Sequence, residues 1–367
     1  MTGRDAGPRR ETSDPRLGAL LREEILDAPG RRITFARFMQ RALTEPGLGY
    51  YAISTKRPTR EGDFLTAPEL HPLFGRVLGR QLHEMWERLG RPSRFILREY
   101  GAGRGTLGAA IRDGLTNDSP AFGAALDHQP VDLGDTSRAT PVVGCILANE
   151  FLDALPVHRV VQRQGRLREV FVTWADGRFA DLEGEPSTSA LTDHLAADGV
   201  ALVEGQHGEI CLAATEWMRR ASAELDRGYL LIIDYGHDAS ALYGLRRMAG
   251  TLLGYRGHRV VDDVYSDVGR TDLTAHVDLT PLDRAAAASG LMRVGDTRQA
   301  AFVAALGLGE LLRELGEDRA TDPQDYLAAR AAVARLLDPR HLGAFRVVAW
   351  ARGVASEPPL RGFGALR

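Results

Sequence analysis

The sequence has few of the features that mark secreted or membrane proteins. Its 367 residues include two cysteines, Cys145 and Cys211, each in an apolar stretch. Two scattered thiols are too few for a disulfide framework or a cysteine-based zinc site, so we expect two small buried side chains. The sequence also lacks an uninterrupted apolar run of membrane-spanning length, and residues 1–14 are polar. We therefore expect a cytoplasmic protein without membrane contact, beginning with a disordered tail over residues 1–14.

Basic residues are not in excess. The chain contains 46 Lys and Arg against 49 Asp and Glu, which gives a net charge of −3. This balance argues against a nucleic-acid partner, because such surfaces need clustered positive charge. Apolar residues make up 44% of the chain, enough for one large core or two smaller ones. The oligomeric state stays open, and a homodimer is one option.

Apolar runs followed by glycine turns predict an α/β fold with a parallel sheet. "FILREY" precedes a glycine-rich turn and a helical segment, and "VVGCILANE" and "YLLIIDYG" have the composition of further buried strands. Helices are predicted upstream, one of them capped by Thr34, and downstream near 281–289, 298–316 and 323–337. Alternating segments around an "ADG" turn predict an inserted β element. The long polar loop "KRPTREGDFLTAPELHP" is typical of a lid or binding segment.

The turn "EYGAGRGT" predicts a ligand site. A P-loop is excluded because the lysine is missing, and Gly101, Gly103 and Gly105 are spaced G-x-G-x-G, with Thr106 where a dinucleotide fingerprint has its last glycine. Glu99 could accept hydrogen bonds from an ammonium or hydroxyl group, and the glycines let a ligand approach the backbone. The following helix N-terminus favours a carboxylate or phosphate. S-adenosylmethionine fits these partners, and a ligand-free tight turn is the alternative.

Six strings occur in one order: "GYY", "EGDFLTAPEL", "EYGAGRGTL", "ANEFLDALPVHR", "IDYG" and "DLTAHVDL". From about Ile33 to Leu312, this succession resembles the family of the mitochondrial complex I assembly methyltransferase and its bacterial relatives. The resemblance implies a class I S-adenosylmethionine-dependent methyltransferase with a Rossmann-like sheet. It also implies a protein arginine as the methyl acceptor. Two alternatives remain: a small-molecule or peptide methyltransferase of a specialised bacterial pathway, and a non-catalytic assembly protein with a degenerate cofactor site.

The span from Thr116 to Pro141 is shorter than in that family. It has room for one short strand, "QPVDL", so we expect the edge strand of a 3-2-1-4-5 sheet to be lost. We divide the chain into an N-terminal helical and lid region (15–94), a Rossmann-like core with C-terminal cap elements (95–165 and 228–352), an inserted β/α element (166–227) and a tail (353–367).

The candidate cofactor residues surround the glycine turn. Asp132, with Asp127 behind it, is the candidate acid for the ribose hydroxyls, although both could be solvated loop acids. Asp63 and Thr66 could fold over the cofactor as part of a lid, or Thr66 could simply cap a helix. The predicted cofactor-binding set is Glu99, Gly101, Ala102, Gly103, Thr106, Asp132, Asn149, Asp63 and Thr66.

The candidate catalytic residues are Glu150, Asp153 and His276. Two carboxylates three positions apart on a helical turn could clamp a planar guanidinium, or they could merely stabilise a helix N-terminus. His276 could accept a proton, although a structural role satisfies the same pattern. The predicted substrate-binding residues are Asp234, Tyr235 and Glu69. No metal site is expected, because the "DLTAHVDL" string offers too few closely spaced ligands.

Overall fold

A computed structural model describes residues 15–54, 66–132, 140–257, 259–319 and 321–364. The strands of this part of the chain are β1 (Arg32–Thr34), β2 (Phe95–Tyr100), β3 (Leu126–Val131), β4 (Val142–Asn149), β5 (His158–Arg163), β6 (Arg166–Ala175), β7 (Arg178–Gly184), β8 (His207–Ile210), β9 (Leu225–Asp234), β10 (Gly236–His237), β11 (Leu253–Arg256), β12 (Arg259–Val261), β13 (Asp272–Thr274), β14 (Val277–Asp278), β15 (Met292–Arg298) and β16 (Arg346–Arg352). Its helices are α1 (Pro15–Asp27), α2 (Phe35–Thr44), α3 (Tyr50–Ser54), α4 (Ala67–Leu70), α5 (Leu73–Arg88), α6 (Thr106–Asp118), α7 (Pro120–Ala125), α8 (Ala190–Ala197), α9 (Leu212–Glu224), α10 (Ala239–Leu242), α11 (Leu279–Ala288), α12 (Gln299–Ala305), α13 (Leu308–Glu317) and α14 (Pro323–Leu337).

The main sheet has six strands in the order β15-β16-β9-β4-β2-β3. Strands β3, β2, β4 and β9 are parallel, β16 pairs antiparallel with β9, and β15 pairs antiparallel with β16. The carboxyl ends of β2, β4 and β9 therefore meet at one edge, where ligand sites of α/β sheets form. This arrangement confirms the predicted Rossmann-like sheet.

Helices cover both faces of the main sheet because its strands alternate between two apolar cores. On β9, Leu231 and Ile233 pack with α5, α6 and α12 to α14. Leu230 and Ile232, on the other face, pack with α9 and α11. This period of two along a strand that is buried on both sides explains why "YLLIIDYG" is apolar throughout.

The main sheet ends at β3. Among the described residues, β3 is the one strand between α7 and β4, and the edge strand that would follow it in the 3-2-1-4-5 order is missing, as predicted. The strand covers Leu126–Val131 and so begins three residues before the predicted "QPVDL". Its polar residues and Pro130 suit an exposed edge, because they discourage pairing with another strand.

A second sheet consists of β1, β5, β6, β7 and β8, all antiparallel. The predicted "ADG" turn joins β6 to β7, with Asp176 and Gly177 both at positive φ, as a tight hairpin requires. The predicted boundary between the core and the inserted element, at residues 165 and 166, falls between β5 and β6. These two strands are paired, so β5 belongs to the second sheet. At the other end, α9 packs on the main sheet. The inserted element therefore spans about β5 to β8, not 166–227.

Three further local expectations can be compared with the structure. Thr34 caps α2, since its hydroxyl accepts the N–H of Arg37 at 3.1 Å. The helix predicted over 298–316 is split into α12 and α13 at Gly307, which has a φ of +85°. Residues 353–364 are not a free tail: Leu360 is buried, and Phe363 packs against Phe302 with ring centroids 5.3 Å apart. The predicted tail at 1–14 lies outside the described residues.

In the described ranges, no helix combines the length and the apolar character needed to cross a bilayer.

Candidate functional site

The glycine turn after β2 leaves open space beside its backbone. Gly101, Gly103 and Gly105 have φ values of +69°, +53° and +72°, a region that strongly favours glycine. A side chain built on Gly103 or Gly105 would meet no atom of the described residues within 4 Å, whereas one on Gly101 would come within 2.8 Å of the Phe151 ring. Gly105 precedes Thr106, the first residue of α6. The open side of the turn thus lies at a helix N-terminus, which favours an anionic group.

Glu99 is held from the neighbouring strand. Its Oε2 lies 2.6 Å from Nε2 of His128 on β3, and both side chains are at least nine-tenths buried. The His128 ring covers Gly108 on α6, where an added Cβ would lie 2.0 Å from the imidazole. His128 is not among the site residues predicted from the sequence. Its place on a short polar strand beside β2 was the available indication.

The two candidate ribose acids lie at opposite ends of β3. Asp132 directly follows the strand, at the same edge as the glycine turn, and its side chain is exposed. Asp127 lies near the amino end, opposite Ile96, and forms an ion pair with Arg94 at 2.6 Å. The register of β3 against β2 therefore puts Asp132, and not Asp127, at the edge of the glycine turn, so Asp132 stays the candidate for the ribose hydroxyls.

Glu150 is at the centre of the predicted acceptor site. It follows β4 with a φ of +49°, and its Oε1 accepts the N–H of Ala67 at 2.9 Å and an amide N–H of Asn149 at 3.1 Å. Burial, reinforced by the charge of Asp234, raises the pKa of Glu150 to about 8. The carboxyl group is therefore largely protonated at neutral pH until a cation approaches it.

Asp234 holds the backbone that leads into the site. Its side chain is buried, and its Oδ2 accepts the N–H groups of Phe151, Leu152 and Asp153 at 2.9–3.3 Å. Its Oδ1 accepts the N–H of Tyr235 at 2.8 Å. Backbone N–H groups after β4 and after β9 thus use both oxygens, and a substrate contact of Asp234 stays a prediction.

Asp153 lies among other acids. Burial and the charges of Asp234, Asp272 and Glu150 all raise its pKa well above the ordinary value. Tyr51 of α3 donates its hydroxyl to Asp272 at 2.9 Å, which links two segments 221 residues apart. Tyr51 was not among the predicted site residues, although it belongs to the "GYY" string. The site thus groups buried carboxyls that resist ionisation together, and a cationic ligand would favour their charged forms.

Aromatic rings line the same region. Tyr235 stacks on His276 with centroids 5.4 Å apart and planes 9° apart, and His276 stacks on His237. Burial, with the charge of Arg247, lowers the pKa of His276 to about 4. His276 is therefore a neutral imidazole at pH 7. Its Nδ1 is buried and has no hydrogen-bond partner among the described residues.

The predicted lid reaches the site through α4. Thr66 precedes this helix, and its carbonyl accepts the N–H of Glu69 at 3.0 Å, so the helix-start interpretation describes the local structure. Burial raises the pKa of Glu69, opposed by its hydrogen bonds to Thr66. Ala67 brings this segment to Glu150. Asp63 lies outside the described residues.

Residues 77–140 and 133–297 match a family model, Methyltransf_28, described as "Putative S-adenosyl-L-methionine-dependent methyltransferase". Among curated proteins, the chain is similar to the mitochondrial protein arginine methyltransferase NDUFAF7 of Danio rerio, with 26% identity covering 85% of this chain and 81% of the relative. The Homo sapiens protein of the same name is 27% identical, with coverages of 85% and 78%.

Two solved structures from Burkholderia thailandensis are similar over nearly the whole chain. One, described as a superfamily member and "likely methyl transferase" bound to S-adenosyl-homocysteine, has a TM-score of 0.84 and 30% identity, covering 96% of this chain and 95% of that one. The other, a native structure from the same superfamily, has a TM-score of 0.77 and 29% identity, with the same coverages.

Proposed function

Because the chain belongs to the family of S-adenosyl-L-methionine-dependent methyltransferases, we propose that its methyl acceptor is an arginine side chain of a protein. The enzyme class and the cofactor follow from the family and from the similar structure that holds S-adenosyl-homocysteine. The identity of the acceptor as an arginine is the part that goes beyond the family. It is supported by the chemistry of the site and by the names of the curated relatives.

The residues at the glycine turn fit the cofactor. Gly103 and Gly105 leave open backbone for its methionine end, and the N-terminus of α6 suits a carboxylate. Asp132 follows β3 at the same sheet edge and is the candidate acceptor for the ribose hydroxyls. When bound, S-adenosylmethionine supplies an electrophilic methyl group on a sulfonium. The protein must hold the acceptor nitrogen about 3 Å from that carbon and exclude water.

The observation that carries the proposal is the group of carboxyls beyond the turn. Asp234, Asp272 and Glu150 lie close enough to Asp153 for their charges to raise its pKa, and burial prevents water from screening them. A guanidinium would relieve this repulsion and present a planar fork of donors to two carboxylates. A neutral acceptor would leave the acids protonated and would gain nothing from their arrangement.

The chain's residues have distinct roles in this proposal. Glu150 and Asp153 orient the guanidinium and favour its charged form, and one of them receives the proton that the methylated nitrogen releases. Asp234 keeps both on one turn through its bonds to three N–H groups. The neutral His276 and the Tyr235 ring form an apolar wall that restricts water.

The test uses two peptide libraries that differ only in a fixed central residue, arginine or lysine. Purified protein is incubated with methyl-tritiated S-adenosylmethionine, and labelled peptides are hydrolysed and resolved for methylarginine. We expect label in the arginine library only, and we expect arginine peptides to bind the complex with S-adenosyl-homocysteine.

Label confined to lysine peptides or to added small amines and acids would contradict the arginine proposal. Binding of S-adenosyl-homocysteine with neither label nor arginine-peptide binding would also contradict it, and would favour an assembly role. As a control, Glu23→Gln changes an exposed carboxylate on α1 and should label the arginine library like the wild type.

A further inference from the structure

Three metal-ligating side chains meet away from the carboxyl site, where the inserted element meets the main core. His194 lies in α8, Asp198 follows the end of that helix, and Asp278 caps the start of α11. We call these three residues the interface trio. Their side chains are 5%, 0% and 7% exposed. Charged groups this deeply buried require partners, because desolvation of an unpaired charge is costly.

The facing atoms of the trio have no hydrogen-bond partners. His194 Nε2 lies 3.4 Å from Asp198 Oδ2 and 3.5 Å from Asp278 Oδ2, and none of the three atoms makes a hydrogen bond among the described residues. A protonated imidazole could donate its one Nε2–H to only one of the two oxygens. The second carboxylate oxygen would stay unsatisfied, so an imidazolium does not account for the arrangement.

The other oxygen of each carboxylate is already held. Asp278 Oδ1 accepts the N–H of Thr280 at 3.0 Å, and Asp198 Oδ1 contacts the guanidinium of Arg284. These contacts fix both carboxylates so that their free oxygens point toward the imidazole. Outer contacts of this kind orient the ligands of protein metal sites.

We propose that the interface trio binds one divalent transition-metal ion, with zinc as the best match. Ligands 2.0–2.2 Å from a tetrahedral zinc ion are about 3.3–3.6 Å from one another. The two measured separations fall in this range, and all three facing atoms lie within 4.8 Å of one another. One imidazole and two carboxylates suit zinc better than calcium or magnesium, which prefer oxygen ligands alone. A water molecule would complete the tetrahedron.

The site would join two parts of the fold. His194 and Asp198 belong to the inserted element, whereas Asp278 begins α11 on the main sheet. Asp278 also ends β14, two residues after His276, and lies opposite His237 in the β10–β14 pair. The ion would therefore fix the inserted element relative to the apolar wall that His276 and Tyr235 form at the acceptor site. No metal is expected from the sequence, because the "DLTAHVDL" string offers too few closely spaced ligands. His194 and Asp198 lie at least 80 residues before Asp278 in the chain.

The test is zinc binding to the full-length protein after treatment with a chelator. Calorimetric titration with zinc chloride should show one equivalent bound, and affinity should fall at least 100-fold in His194→Ala and in Asp278→Asn. The matched control is His341→Ala, which removes an exposed histidine and should bind zinc like the wild type. Each variant is first shown to bind S-adenosyl-homocysteine, which establishes that it is folded.

Cobalt substitution in the wild type provides a test that needs no variant. One equivalent of cobalt should give the intense visible absorption of a four-coordinate ion, and zinc should abolish it. A weak six-coordinate spectrum would overturn the proposal, as would equal zinc affinity in the wild type and His194→Ala, which would indicate an adventitious ion only. An absence of zinc binding in the wild type would overturn it as well.

Discussion

Glu150 has a backbone conformation that residues other than glycine rarely adopt. Its φ of +49° costs about 1–3 kcal/mol and persists because surrounding contacts determine it. Its backbone N–H donates to the carbonyl oxygen of Ile233 at 2.9 Å, and its carboxylate accepts the N–H of Ala67. Backbone strain of this kind concentrates at functional sites, so Glu150 is the residue for which we make the main catalytic prediction.

Replacing Glu150 with glutamine should leave the fold intact and reduce methyl transfer by about 100-fold or more. Glutamine keeps the shape and can still accept the N–H of Ala67, but it cannot become an anion beside a bound guanidinium. Turnover is measured with the arginine peptide library and S-adenosyl-homocysteine affinity by calorimetry. Unchanged turnover would remove Glu150 from the catalytic residues.

The same substitution should alter the pH dependence of stability. Burial raises the pKa of Glu150 to about 8 from an unperturbed 4.5, so the folded protein holds this proton more tightly than the unfolded chain. The resulting stabilisation is fully present below about pH 4.5 and is lost as pH rises through about 8. Between pH 6.5 and 8.5, the wild type should lose about 1–2 kcal/mol more unfolding free energy than Glu150→Gln. Urea denaturation at the two pH values measures this difference, and parallel losses in both proteins would refute it.

At the glycine turn, Gly103→Val should abolish binding of S-adenosyl-homocysteine. The new side chain would project into the open space that the ligand needs, and valine tolerates a φ of +53° poorly. Gly177→Val is the matched control, since that glycine also has positive φ and open surroundings but lies in the β6–β7 hairpin. Calorimetry should show binding in the control alone, and binding to both variants would exclude this turn as the cofactor site.

At the scale of elements, the segment after β4 is shaped by β9. Asp234 at the end of β9 accepts three successive N–H groups from Phe151 to Asp153. Both segments end at the same sheet edge because β4 and β9 are parallel and in register up to Asn149 and Ile233. The positions of Glu150 and Asp153 therefore depend on hydrogen bonds to the neighbouring strand β9 and not on their local sequence alone.

Asp234→Asn should destabilise the protein by about 1–3 kcal/mol and lower methyl transfer, because an amide cannot satisfy all the buried N–H groups. Asp226→Asn, an exposed change near the other end of β9, should alter stability by about 0.5 kcal/mol or less. Urea denaturation of both variants gives the comparison. If Asp234→Asn is as stable as the control, the proposed support of this turn is refuted.

At the scale of the whole molecule, segments that are far apart in the sequence pack together beside the acid-rich site. The helices α1 and α2 pack on β6 of the second sheet and on residues around Leu273 and Ala275 in one apolar core. Tyr51 then reaches Asp272 across that core. Because the same core contacts the second sheet and the acceptor site, the two sheets should unfold together.

Ligand binding should therefore protect both sheets. S-adenosyl-homocysteine at 100 times its Kd should raise the free energy of global unfolding by about 2.7 kcal/mol. Native-state hydrogen exchange should show this increase for the slowest amides of β4 and also for those of β6, although β6 lies in the other sheet. Protection confined to the main sheet would mean that the two sheets unfold separately.

Local patterns in the sequence were sufficient for much of the fold and for the cofactor turn. Buried strands, glycine turns and caps depend on neighbours in the chain, so the parallel core, the Thr34 cap and the hairpin at Asp176 could be predicted. The short span from Thr116 to Pro141 likewise predicted that the described residues would have no further edge strand beyond β3. The edge strand β15 was not predicted, because its residues are mostly polar and its pairing with β16 supplies the structure.

Only the tertiary structure decided which polar side chains face one another. The sequence could not show that His128 holds Glu99, that Asp234 faces the backbone after β4, or that Tyr51 meets Asp272. It could not place β5 in the second sheet or bring His194 to Asp278. These outcomes depend on strand register and on packing between segments up to 221 residues apart, whereas sequence patterns report the preferences of near neighbours.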